Sequence, residues 1–108
     1  MPSRARAKAK QISKLGEIRA ALIAAGFDTT TKQAAVLGLG RSTAWEVLNG
    51  DTRAGPSATI LKRILSSPKL PPRARQKIEE YVKEKSRGLY GHSEKRAAEF
   101  SDHFPELT

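Results

Sequence analysis

Arg41, Ser42, Trp45, Glu46 and Asn49 fall within one short stretch and, at 100° per residue, share one side of a helix. Their types suit the reading of base edges in double-stranded DNA. A guanidinium at Arg41 can bind guanine O6 and N7 bidentately, and the Asn49 carboxamide can pair with adenine N6 and N7. Glu46 can accept from a cytosine amino group or orient Arg41 or Arg53. Ser42 suits a base or phosphate contact, and Thr43 a phosphate contact. Trp45 fits a thymine methyl or a sugar ring, although a solitary tryptophan is as often a core residue.

Such side chains need a rigid support, and the flanking residues describe one. Ala44, Val47 and Leu48 are three and four apart and predict the inward face of a helix over Arg41–Leu48. Ala34 and Leu37 predict a preceding helix. Gly38 would end it, and Leu39, between two glycines, would fill the angle where the helices meet. Asp28, Thr29, Thr30 and Thr31 are N-cap formers at its start, so its free N–H groups, with Thr30, Thr31 and Lys32 beside them, form a candidate phosphate site. Two short helices around a glycine-bounded turn make a helix-turn-helix.

This stretch resembles the helix-turn-helix of lambda-repressor-like (XRE or Cro-type) regulators. The resemblance rests on Ala34 followed by Gly38, on Arg41-Ser42-Thr43, and on the Ala44 and Val47 pair. It extends into Asn49-Gly50-Asp51 and the run from Pro56 to Leu65, and covers roughly residues 12–88. The chain departs from the family pattern at Gln33, usually apolar, and at Ala44, where Val or Ile is commoner. The resemblance implies a five-helix all-α domain that regulates transcription, more often as a repressor, from a bacterial or phage source. It also implies a homodimer whose last helix makes the contact, which points to Ile78, Tyr81 and Val82. The same stripe could equally cover the core of one subunit.

Composition agrees with a small helical bundle. Aromatics are 6% of the 108 residues, and β-branched runs are missing. The net charge of +9 and a pI near 10.3 favour a polyanionic partner. Arg4, Arg6, Lys8, Lys10 and Lys14 precede the first acid, and seven bases with no acid lie between Thr52 and Ile78. One electropositive face is expected, with Arg53 reaching the nucleic-acid backbone from the loop after the recognition helix.

The division read from the sequence has three parts. Residues 1–11 form a flexible basic arm whose Arg4, Arg6, Lys8 and Lys10 lie along phosphates. Residues 12–88 form the DNA-binding domain. Its first helix carries Ile12, Leu15, Ile18, Leu22 and Ile23, its fourth is capped by Ser57, and its fifth runs from Pro72 to Arg87. Residues 89–108 form a C-terminal extension with a weak helical pattern through Ala97, Ala98, Phe100 and Phe104, suited to a tail or a protein partner. No nucleophile–base pair, carboxylate dyad, phosphate loop or metal-ligand spacing is visible, so neither an enzyme nor a cofactor is expected. Without cysteine, a signal sequence or a spanning apolar run, a cytoplasmic, nucleoid-associated protein with no membrane partner is expected. The rival readings are a protein-interaction module and a sequence-independent binder of nucleic acid, RNA included.

Overall fold

A computed structural model describes residues 4–49 and 55–107. It contains α1 (Arg4–Ala24), α2 (Thr30–Leu37), α3 (Arg41–Asn49), α4 (Ala58–Leu65), α5 (Pro72–Ser86) and α6 (Glu94–Asp102). No strand occurs among the described residues, and none of their helices is long and apolar enough to cross a membrane. Among the described residues, six helices rather than five build the bundle. α1 packs against α3 and α5, α2 against α3 and α4, and α6 against α5.

The first departure from expectation is the arm. Residues 4–11 are the opening turns of α1, with Ala7 and Gln11 only 3% and 1% exposed. Ala7, Gln11, Leu15, Ile18 and Leu22 form one buried stripe at three- and four-residue spacing. Alanine, lysine and arginine are strong helix formers, so nothing local stops the helix short of Arg4. Ile12 and Ile23, expected inside, lie outside that stripe and are exposed.

The second departure concerns α5. Ile78, Tyr81 and Val82 are fully enclosed within one chain, so these side chains cannot make the predicted two-fold contact. α1 covers them on one side, where Tyr81 Oη donates to Gln11 Oε1 at 2.7 Å. On the other side Tyr90 stacks on Tyr81 with ring centroids 5.1 Å apart, and α6 adds Ala97 and Phe100. Phe104, just beyond α6, closes the same cluster. The extension from Leu89 onward is therefore part of the core, and residues 12–88 do not enclose a complete one.

Local signals set the helix ends. Ser57 and Ser93 cap α4 and α6 by accepting from Ile60 N and Arg96 N. Pro72 opens α5, where its missing N–H leaves no donor unmet. Gln33, where an apolar residue was the family pattern, is buried, and its Nε2 donates to Phe27 O at 3.0 Å.

Gly55 leads into α4 with φ 72°. A Cβ there would collide with Gln11 Oε1 and Tyr81 Oη. Both backbone and space therefore require glycine at this position, just ahead of α4. Tyr81→Phe is expected to cost about 1–3 kcal/mol, because it leaves the buried Gln11 carbonyl without its donor. Urea unfolding at neutral pH reads this directly, and an unchanged midpoint would refute it.

Candidate nucleic-acid interface

The expected motif depends on how α2 and α3 are joined. Thr29 is extended (φ −121°, ψ 156°), and its hydroxyl accepts from Lys32 N, which starts α2. Gly38 ends that helix in the left-handed region (φ 70°, ψ 31°), and Leu39 N then donates back to Ala34 O at 3.1 Å. This reversal buries Leu39 between the helices and sends the chain into α3 at Arg41. Ala44 is 0% exposed, so α3 approaches the bundle closely, with Val47 and Leu48 buried beside it.

That inward face leaves Arg41, Ser42, Trp45 and Glu46 outside. Together with Thr30 at the start of α2 they line one shallow surface depression. Trp45 is 48% exposed, a large apolar area for a solvent-facing ring. A guanidinium, a hydroxyl, a carboxylate and an indole thus converge on a surface carried by two rigid helices. Thr31 is exposed, while Thr30 and Thr43 are half-buried.

Other predicted site residues are placed differently. Asn49 is half-buried, its Nδ2 donating to Trp45 O at 2.8 Å and its Oδ1 accepting from Arg19 at 3.2 Å. Both ends of its amide are engaged at the end of α3, which fixes the side chain there and leaves one N–H and one lone pair for any further contact. Arg19 was not identified from the sequence. It lies on α1, far along the chain from Asn49, and no local pattern links the two. Lys32 Nζ lies 3.2 Å from Asp28 Oδ1, and that hydrogen bond and charge hold the Asp28 carboxyl below its usual pKa. Arg53 and the side chain of Arg4 lie outside the described residues.

The basic surface is also thinner than the linear charge pattern implied. Lys14 Nζ reaches Glu80 at 2.7 Å and Glu84 at 3.2 Å. Lys77 pairs with Glu17 at 3.0 Å and lies 3.7 Å from Glu80. Arg75 is drawn to the end of α4, donating to Leu65 O and Ser67 O. These three cations belong to stretches without acids, yet α5 meets α1 and α4 in space and uses them there. Arg6 and Lys10 are one turn apart on α1, whereas Lys8 lies round on its other side. A rigid helix cannot turn all three toward one groove as a flexible arm would. Compared with known proteins, the chain matches no family model, no curated protein and no solved structure.

Proposed function

We propose that this protein is a sequence-specific DNA-binding regulator of transcription, of the lambda-repressor-like kind, with α3 read into the major groove. The observation that carries the reading is the outward cluster of Arg41, Ser42, Trp45 and Glu46 bordered by Thr30. It sits on the second helix of a glycine-turned pair, in a chain of net charge +9. Arg41 reads guanine, Glu46 reads cytosine or steadies Arg41, and Trp45 lies against a thymine methyl or a sugar. Thr30, Thr31, Lys32 and Thr43 hold phosphates beside α3, and Arg53 and the basic residues of α1 add sequence-independent attraction. Two copies bind an inverted repeat, and the bound protein represses by excluding polymerase.

Selection from a randomised duplex pool at about physiological salt tests this. An inverted repeat with half-sites about one helical turn apart is expected. Enrichment of no sequence would remove the proposal. On the selected duplex, Arg41→Ala is expected to lose about 1–3 kcal/mol of binding and to relax preference at a single base position. An equal loss on all duplexes would instead assign Arg41 to phosphate. The interaction-module reading draws on one observation, an exposed tryptophan beside an arginine, a pairing typical of protein hot spots. It predicts no duplex binding even at low salt.

A further inference from the structure

The connection from α4 to α5 carries cations that the bundle does not neutralise. Arg63, Lys69 and Arg73 are exposed, and none of the three side chains has an ion pair or a hydrogen bond among the described residues. Elsewhere the fold uses its cations. Lys14, Lys32 and Lys77 meet carboxylates, and Arg19 and Arg75 meet amide or backbone oxygens. No acid lies between Thr52 and Ile78 to do the same here. Lys62, the neighbouring cation, belongs to another surface. Its Nζ lies 6.0 Å from the centre of the Phe104 ring, in a depression that Glu79 and Glu106 also line.

The same connection is held in shape. Ser67 Oγ donates to Val36 O, Leu70 N donates to Ser67 O, and Leu70 is buried. Arg75 donates to Leu65 O and Ser67 O, which ties the start of α5 to the end of α4. Arg63 lies one helical turn before Ser67, Lys69 two residues after it, and Arg73 two residues before Arg75. Three free cations are therefore displayed around one anchored turn, on backbone that is already ordered.

We propose that this turn is a second phosphate-binding surface, for a duplex segment other than the one α3 reads, so that the protein bridges two stretches of DNA. Its placement rests on the reading of α3 given above, in which Thr30, Thr31 and Lys32 at the start of α2 meet phosphates. Ser67 is bonded near the opposite end of α2, at Val36, and α2 is about 12 Å long. The α4–α5 turn thus sits at the end of α2 directed away from the duplex that holds α3. Charge selects the occupant, because unneutralised cations attract a polyanion and each phosphate they contact releases a counterion. A duplex suits the surface better than a lipid bilayer does. The large exposed apolar side chains, Ile12, Ile23, Trp45 and Leu89, all lie on other parts of the chain, so none could enter a bilayer here. Contacts to phosphate alone carry no sequence preference.

A capture assay on the full chain tests this. The duplex enriched by selection is fixed to beads and saturated with protein, and a labelled duplex of unrelated sequence is then offered. The variant Arg63→Gln, Lys69→Gln, Arg73→Gln is compared with a control of equal net charge, Lys83→Gln, Lys95→Gln, Arg96→Gln. All six side chains are exposed, and circular dichroism checks that both variants keep their helix signal. The first variant is expected to capture at least about ten-fold less of the second duplex than the control. Its capture should also depend less steeply on salt, by about 2.7 in log–log slope, or about 0.9 for each of three phosphate contacts. Affinity for the fixed duplex should be the same in the two variants. Equal capture by the two variants, or a matching loss of affinity for the fixed duplex, overturns the proposal. Capture of anionic phospholipid vesicles in place of the second duplex overturns it as well. An enriched sequence without capture removes this proposal and leaves the α3 reading standing, whereas a selection that enriches nothing removes both.

Discussion

A chain ended at Gly88 is expected to lose cooperative folding. The residues beyond it place Tyr90, Ala97, Phe100 and Phe104 in the core at 5%, 6%, 8% and 5% exposure. Phe100 and Phe104 pack with ring centroids 5.1 Å apart, and Tyr90 stacks on Tyr81 at the same separation. Truncating one buried phenylalanine costs about 3–5 kcal/mol. Neighbouring losses do not add fully. Even half the sum for three aromatics rivals the about 5–15 kcal/mol that holds a domain folded. The same cut would open Ile78, Tyr81 and Val82 to water and strip the Phe100 ring from beside the Lys85 ammonium, 4.8 Å away. Circular dichroism during urea unfolding decides the matter. The truncated chain should show a reduced helix signal and no sigmoidal transition, and Phe100→Ala in the full chain should already lower the midpoint clearly. A truncated chain that unfolds cooperatively near the full-length midpoint would show that the extension is an appendage after all.

The α2–α3 unit was legible in the sequence because its signals are local. Gly38 in the left-handed region, the Thr29 cap and the inward trio Ala44, Val47 and Leu48 act over a few residues each. The outward direction of Trp45 followed from that trio. What was hidden depends on distant pairing. An apolar stripe on α5 says that something covers it, and not whether the cover is a second copy or the chain's own α6. The start of α1 was hidden because Ala7 and Gln11 are a small and a polar residue, and their burial is apparent only beside Tyr81, Gly55 and Gly91. Counting charges along the chain missed the pairing of Lys14 and Lys77 with acids for the same reason. Asn49 looked like a base reader because its amide is versatile, and Arg19, which occupies it, comes from another helix.

Stability is expected to rise with pH from about 8 and to turn over above about 10, because of Lys85. This lysine continues the buried stripe of Ala74, Ile78, Tyr81 and Val82 and is 6% exposed. Its Nζ donates to Pro56 O at 3.1 Å and lies over the rings of Phe100 and Tyr81 at 4.8 and 5.8 Å. Burial strips water from the ammonium and lowers its pKa from 10.5 to about 8. Below pH 8 both folded and unfolded chains hold the proton, and the cost of burying the charge is fully present. Between about 8 and 10.5 the unfolded chain binds more protons than the folded one, so unfolding becomes harder as pH rises. The whole window is worth at most about 3 kcal/mol. Opposing it, Tyr81 and Tyr90 have pKa values raised chiefly by burial, the latter also by Glu84. Above pH 10 their unfolded forms ionise first, and that part of the stability is lost. Lys14, whose pKa its partners Glu80 and Glu84 raise despite the desolvation that opposes them, loses stabilising charge in the same alkaline range. Urea midpoints at pH 7, 8, 9, 10 and 11 should trace a rise up to about pH 10 followed by a decline. Lys85→Met removes the buried charge but leaves the Pro56 carbonyl without its donor. It should therefore gain about 1–2 kcal/mol at pH 7 and show no rise between pH 8 and 10. A flat wild-type profile, or a methionine variant weaker at pH 7, would mean that the ammonium is solvated and that Lys85 holds the segment before α4 by its charge rather than despite it.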